Sequence, residues 1–143
     1  MTGVVIVGVD GSETAMRAAK AAQQLAIGIG ASLRVVSAFD SNKTEVVEIG
    51  TDKWIVSDAA EAEAVARTVA ERLADERLEV TYSAARGKPG EALVKEAEML
   101  EARLIVVGNR RMQGLGRVLG SVANTVAHNA PCDVYIAKTD ASE

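Results

Sequence analysis

Residues 4–9, Val4-Val5-Ile6-Val7-Gly8-Val9, form an unbroken apolar run near the start of this 143-residue chain. All of them except Gly8 are β-branched, which favours a strand. A strand with one wet face would alternate apolar and polar residues, whereas a continuous run is typical of a strand covered on both faces. The run therefore predicts a central strand of a parallel sheet.

A helix is predicted directly after this strand. Ser12 is a good N-cap residue, and Gly28 and Gly30 are expected to stop the helix. Alanines recur at helical spacing between these points, at positions 15, 19, 22 and 26.

Strand-like and helix-like segments then alternate to the end of the sequence. Strands are predicted at 33–39, 78–84, 104–107 and 134–137, and helices from Asp58, from Pro89 and up to Pro131. The segment from Asp40 to Ser57 has no clear period and is interpreted as a long connection. The tail from Thr139 is polar and is expected to fray. Alternation of this kind indicates one α/β domain with a parallel sheet and helices on both faces.

Charge and cysteine content narrow the classes of function. The formal net charge of −4 and the pI near 5.1 argue against a nucleic-acid or anionic-membrane binder, which needs a basic face. The single cysteine, Cys132, excludes an internal disulfide and suits a reducing compartment. With no signal-peptide pattern at the N-terminus, we expect a cytoplasmic protein.

The segment from Val106 to Ser121 carries the strongest chemical signal. A buried strand runs into Gly108, a loop rich in glycine and arginine follows, and Gly120-Ser121 opens a helical pattern. Glycines let backbone N–H groups approach an anion, and a helix start presents unpaired donors and a positive dipole end. The pattern predicts a phosphate cradle, although Asp10 could be only a turn residue and the arginines a solvated basic loop.

Two more familiar nucleotide motifs do not fit. Gly114, Gly116 and Gly120 do not have the spacing of the dinucleotide fingerprint, and no Gly-x-x-x-x-Gly-Lys-Ser/Thr sequence exists. In open parallel sheets, ligands bind beyond the carboxyl ends of strands where the strand order reverses. If the first and fourth parallel strands are neighbours there, Asp10 and Gly108 face one crevice.

Five short segments together resemble the universal stress protein family, specifically its ATP-binding branch, and the resemblance covers nearly the whole chain. The segments are Val9-Asp10-Gly11-Ser12, Gly87-Lys88-Pro89, Leu104–Gly108, Gly120-Ser121-Val122 and Ala130–Val134. The predicted fold is thus a single-domain, doubly wound α/β fold with an open five-stranded parallel sheet in the order 3-2-1-4-5.

The family's nucleotide motif is glycine, two residues, glycine, nine residues, then glycine followed by serine or threonine. Here Arg111 stands where the second glycine is expected, and eight residues separate it from Gly120. The arginine would either crowd the phosphates or pair with one of them.

The resemblance implies a site for ATP or another adenine nucleotide. Asp10 would hold the ribose or adenine, and Val9 and Ala38 would contact the adenine. Gly108 would let the ribose-phosphate approach the backbone. The remaining implied site residues, which line the loop or meet the phosphates, are Asn109, Arg110, Arg111, Gly120, Ser121 and Val122.

The resemblance also implies a homodimer through the last strand, at Val134 and Ile136. The acidic charge balance predicts no nucleic-acid or membrane partner. The output would be a change of conformation or partner in a stress response. Two alternatives stay open: a dimeric interaction module that binds no nucleotide, and a slow ATP-using enzyme. The sequence does not show which adenine nucleotide binds or whether Mg²⁺ accompanies it.

Overall fold

A computed structural model describes residues 3–40, 44–49, 52–109 and 120–139. It contains four helices and seven strands within these ranges. The elements, in chain order, are β1 (Val4–Val9), α1 (Glu13–Ile29), β2 (Ser32–Phe39), β3 (Thr44–Ile49), β4 (Asp52–Ser57), α2 (Asp58–Arg72), β5 (Val80–Arg86), α3 (Pro89–Leu100), β6 (Leu104–Gly108), α4 (Ser121–Asn129) and β7 (Asp133–Ala137).

Five parallel strands form the main sheet in the order β5-β2-β1-β6-β7. Counting only these five along the chain, the order is 3-2-1-4-5, so the predicted topology is confirmed. β1 is the central strand, with Val7 opposite Val35 of β2 and opposite Val106 of β6.

Two apolar clusters cover the two faces of the sheet, because alternate residues of each strand point in opposite directions. Val5, Val7 and Val9 pack with α1 and α2 on one face. Ile6 packs with α3 and α4 on the other face. Val5, Ile6 and Val7 are completely buried, which explains why the run at 4–9 does not alternate.

Close helix packing on the second face depends on two glycines. A Cβ on Gly8 would lie 2.8 Å from a methyl carbon of Leu93, and one on Gly90 would lie 2.7 Å from Cβ of Thr125. Gly8 therefore lets α3 approach β1, and Gly90 lets α3 approach α4.

A partly buried ion pair ties α3 to the strands beneath it. Glu96 is 8% exposed, and its Oε2 lies 3.4 Å from Nε of Arg34 on β2. Ser83 of β5 donates its hydroxyl to the same oxygen at 3.0 Å. Two strands thus satisfy the one buried carboxylate of α3, which helps to fix the rotation of the helix.

The interpretation of Asp40 to Ser57 as a long connection is wrong. β3 and β4 form an antiparallel pair, with Val47 opposite Trp54 and Thr44 opposite Ser57. The missed signal is the pair of β-branched dipeptides, Val46-Val47 and Ile55-Val56, in segments separated by only Gly50 and Thr51. Such a two-residue separation with a leading glycine is typical of a β-hairpin.

Two smaller boundaries also differ from the sequence prediction. α1 continues through Gly28, and only Gly30 ends it, with φ 74° and an N–H bonded to the carbonyls of Ala26 and Ile27. The edge strand β5 starts at Val80, because Leu78 is instead bridged to Asp75. Ser12 caps α1 as predicted, since its side chain accepts from the N–H of Ala15.

No helix in the described part of the chain combines the length and the apolar character that a membrane crossing requires.

Gly90→Ala tests the close approach of α3 and α4. We expect it to lower the free energy of unfolding by about 1–3 kcal/mol, because the new methyl group overlaps a β-branched side chain that has little freedom to move. The matched control is Gly28→Ala, where nothing lies within 4 Å of the added carbon. In this exposed turn of α1, alanine should raise stability by about 0.5 kcal/mol. The free energy of unfolding of both variants is measured by urea denaturation. If both substitutions changed it in the same direction, the close approach of α3 and α4 at Gly90 would be contradicted.

Cys132 provides a second test. Burial, with the neighbouring Asp133 carboxylate, raises the pKa of its thiol. A raised pKa leaves less thiolate at neutral pH, so Cys132 should react with Ellman's reagent several-fold more slowly than a small free thiol at pH 7.5. Asp133→Asn should speed the reaction by removing the nearby negative charge. A native rate equal to that of the free thiol would contradict the expected effect of burial.

Candidate functional site

A cleft opens at the carboxyl ends of β1 and β6, where the order of the sheet reverses. β1 is bonded to β2 on one side and to β6 on the other. α1, the helix after β1, and α4, the helix after β6, pack on opposite faces of the sheet. The resulting cavity has a volume of about 220 Å³. This is the place at which open parallel sheets bind ligands.

Seven of the ten predicted site residues line this one cleft: Val9, Asp10, Ala38, Gly108, Gly120, Ser121 and Val122. Asp10 and Gly108 therefore face one crevice, as expected if their strands are neighbours. Asn109 is not part of the lining. Arg110 and Arg111 lie outside the described residues.

One side of the cleft is a hydrogen-bonded turn between β1 and α1. Oδ1 of Asp10 accepts from the backbone N–H of Ser12 at 2.9 Å and from its hydroxyl at 2.6 Å. The Ser12 hydroxyl also lies 3.2 Å from that of Thr14, which lines the cleft. Gly11 has φ 87°, a conformation that side chains rarely adopt, and it allows the turn to close. The Asp10 carboxylate is thereby held at the rim of the cleft.

The opposite part of the cleft is apolar. Val36 and Ala38 project from β2, while Pro89 and Leu93 come from the start and the middle of α3. Pro89 occupies the first turn of α3, where the missing N–H costs nothing. This wall, which combines aliphatic side chains with a proline ring, suits a flat apolar group such as a heterocyclic base.

The third part of the cleft is the beginning of α4. Its N-cap residue, Gly120, makes no side-chain capping bond, and no acidic residue stands in the first turn. The first N–H groups of a helix have no partner within the helix, and they carry the positive end of its dipole. With Gly120, Ser121 and Val122 in the lining, this end of the cleft is suited to an anion.

Asn109 makes contacts that the sequence did not predict. It is 5% exposed, and its Oδ1 accepts from both the backbone N–H of Thr139, at 2.7 Å, and the Thr139 hydroxyl, at 3.0 Å. Thr139 is fully buried and lines the cleft. The expectation that the chain frays from Thr139 onward is thus wrong at Thr139 itself, and positions 140–143 lie outside the described residues.

Several lining residues were not predicted. Gly8, Thr14, Ala15, Val36, Pro89, Leu93, Val107, Ala123 and Thr139 also border the cleft. Most of them are apolar residues of the strands and helices, and their sequence pattern is indistinguishable from that of core positions. Pro89 could have been predicted from the sequence. Proline favours the first turn of a helix, and a helix that follows a parallel strand starts near the carboxyl end of that strand.

A second, more open groove of about 650 Å³ runs between α1 and α2. Arg17, Lys20 and Arg72 stand among its lining residues, so it also has cationic character. Arg17 is already engaged, since its Nη1 donates to the carbonyl of Thr139 at 3.2 Å. The start of α1 borders this groove, but the Ser12 side chain already caps it and Glu13 places a negative charge in its first turn. Among the predicted site residues only Val9 lines the groove, so the cleft is the better candidate.

Comparison with known proteins agrees with the geometry. The sequence model of the family described as "Universal stress protein family" matches residues 1–138. Universal stress protein Rv1636 of Mycobacterium tuberculosis is 34% identical over 146 residues, which cover 94% of this chain and 95% of that protein.

Solved structures of similar proteins share the fold. A universal stress protein crystallised in complex with cAMP is 27% identical, with a TM-score of 0.72, and the match covers 96% of this chain and 98% of the other. The universal stress protein of Archaeoglobus fulgidus in complex with dAMP has a TM-score of 0.64 at 22% identity, covering 95% and 97% of the two chains. At that identity the second match supports the fold alone.

Proposed function

Since the chain belongs to the universal stress protein family, we propose that its cleft binds an adenine nucleotide and that the bound nucleotide changes the conformation or the partners of the protein in a stress response. The observation that carries the proposal is the convergence of three kinds of surface on one cleft. An apolar wall, an oriented carboxylate and an uncapped helix start face one another there.

Each surface matches one part of a nucleotide. The wall of Val36, Ala38 and Leu93 would take the base, and the Asp10 carboxylate would accept hydrogen bonds from ribose hydroxyls. The N–H groups at the start of α4 would receive the phosphates. The complex of a similar protein with cAMP supports an adenine base rather than another one.

Binding and regulation are the role that we propose for the cleft, because an apolar wall, one carboxylate and a helix start suit the retention of a nucleotide. No group of three or more His, Cys, Asp or Glu side chains with metal-binding geometry occurs in the ranges that the structure describes. Cys132 cannot act in the cleft, because it precedes β7 and so lies at the amino ends of the strands. We therefore propose a nucleotide-responsive regulator, and Mg²⁺ and ATP hydrolysis stay outside the proposal.

A dimer through β7 is the second part of the proposal. β7 is an edge strand of the sheet, and Tyr135 and Ile136 are 45% and 36% exposed on it. An uncovered apolar edge is prone to pair with another strand. This edge also favours the alternative of an interaction module that binds no nucleotide. The cytoplasmic location stays a prediction from the sequence.

Isothermal titration with ATP, ADP, AMP and cyclic AMP, with GTP as a base control, tests the proposal. We expect saturable binding of at least one adenine nucleotide and weaker binding of GTP. Asp10→Ala should weaken that binding by about tenfold, because a charge-assisted hydrogen bond to ribose is lost. Asp133→Ala is the matched control, since it removes the same charge from an exposed position at the amino end of β7.

Equal losses of affinity in the Asp10 and Asp133 variants would contradict the assigned role of Asp10. The absence of binding of any adenine nucleotide at millimolar concentration would refute the proposed function. The alternative function, a dimeric interaction module that binds no nucleotide, would then be favoured.

A further inference from the structure

We propose that Asn109 and Thr139 are a positioning pair that holds the main chain at the exit of β6 against the cleft. The inference rests on the proposed function. It assigns Asn109 a task other than lining the nucleotide site, and it adds Thr139, to which the sequence analysis assigned no function. The pair joins the exit of β6 to the chain that follows β7.

Burial is the first argument. Thr139 lies two residues beyond the end of β7 and nevertheless is 0% exposed, and Asn109 is 5% exposed one residue beyond β6. Polar side chains are rarely buried so completely unless they are paired. The cause is visible in the two bonds of 2.7 and 3.0 Å that converge on Oδ1 of Asn109.

The orientation of the Asn109 amide is fixed by chemistry. A backbone N–H can only donate, so the side-chain atom that faces the N–H of Thr139 must be the oxygen of Asn109. The hydroxyl of Thr139 donates to the same oxygen. One acceptor therefore takes both donors of Thr139, and replacing Asn109 would leave a buried N–H without its partner.

Thr139 is also held from two other sides. Nη1 of Arg17, on α1, donates to the Thr139 carbonyl at 3.2 Å. A Cβ on Gly108 would lie 3.2 Å from both Cγ2 and Oγ1 of Thr139, so the threonine side chain packs tightly over that glycine. Gly108 and Thr139 both line the cleft. The pair thus sets where the main chain leaves β6 beside the ligand.

Gly108, the last residue of β6, lines the cleft at the point where the ribose-phosphate would approach the backbone. Fixing the main chain there before the ligand arrives reduces the entropy that phosphate binding must overcome, which is the usual gain from preorganisation. The apolar wall for the base belongs to β2 and α3, whereas the bonds and the packing that hold the pair involve α1, the end of β6 and the chain after β7. Loss of the pair should therefore weaken binding of a phosphorylated ligand more than binding of adenosine.

The experiment compares ATP with adenosine by isothermal titration in wild type and in Asn109→Ala, Thr139→Val and Thr139→Ser. We expect Asn109→Ala to bind ATP about tenfold more weakly and adenosine within about twofold of wild type. Thr139→Val loses one of the two bonds and should weaken ATP binding by about threefold, whereas Thr139→Ser, which keeps the hydroxyl, should restore it. Asn129→Ala, at an exposed asparagine at the end of α4, is the control for the amide deletion.

If Asn109→Ala weakened the binding of ATP and of adenosine equally, the proposal would be overturned, because equal losses of affinity indicate general damage to the fold. Unchanged ATP binding in Asn109→Ala would overturn it as well. If Asn109→Ala does not fold, the contrast between Thr139→Val and Thr139→Ser decides the outcome.

Hydrogen exchange of the Thr139 amide in the nucleotide-free protein separates this proposal from the proposed function. Slow exchange in wild type and at least about tenfold faster exchange in Asn109→Ala would establish the bond without any ligand. Fast exchange in wild type would refute the pair even where ATP binds. Failure of wild type to bind either ligand would refute the proposed function, and with it the role of the pair in nucleotide binding.

Discussion

The pairing of β1 with β2 on one side and β6 on the other is the constraint on which the rest of the molecule depends. Because Val5, Ile6 and Val7 are completely buried, a ligand can meet β1 only at its carboxyl end, where Gly8 and Val9 line the cleft. The helix after β1, α1, covers one face of the sheet, and the helix after β6, α4, covers the other. The cleft lies at the strand ends between these two helices.

Glycine at the carboxyl ends of the strands converts this topology into a usable site. Gly8 admits Leu93 of α3 against β1, so the apolar wall comes close to the strand ends. Gly108 admits the side chain of Thr139 and leaves the main chain of β6 exposed to the cleft. The missing Cβ thus allows close helix packing at Gly8, and at Gly108 it allows Thr139 to pack against the end of β6.

Sequence patterns predicted the central strands and the position of the cleft. They missed the β3–β4 hairpin and the Asn109–Thr139 pair, and each omission has a physical reason. The β-branched run at 4–9 is typical of a central strand that is covered on both faces. Because β1 is central and pairs with β6, the ends of the two strands bring Gly108 and Asp10 to the same cleft. The β3–β4 hairpin was missed because its segments mix charged with apolar residues and show neither period over a long enough stretch. The Asn109–Thr139 pair joins residues 30 positions apart, and no local pattern reports a contact of that kind.

The residues of the site also fall into two groups, those that the sequence identified and those that it did not. Positions marked by backbone chemistry, such as Gly108 and Gly120, were recognisable because a phosphate cradle demands them. The apolar wall was not, because Val36 and Leu93 have the same sequence signature as the core residues beside them. Arg111, the departure from the family's motif, lies outside the described residues, and its role stays with the two alternatives that the sequence allows.

Titration of ¹⁵N-labelled protein with ATP, followed by amide chemical shifts, tests most directly whether the carboxyl ends of β1 and β6 form the ligand site. The account predicts saturable shifts centred on Asp10, Gly108 and the Ser121 and Val122 amides at the start of α4. Shifts centred instead on Lys20 and Arg72, in the groove between α1 and α2, would contradict it, as would the absence of any shift at millimolar ATP.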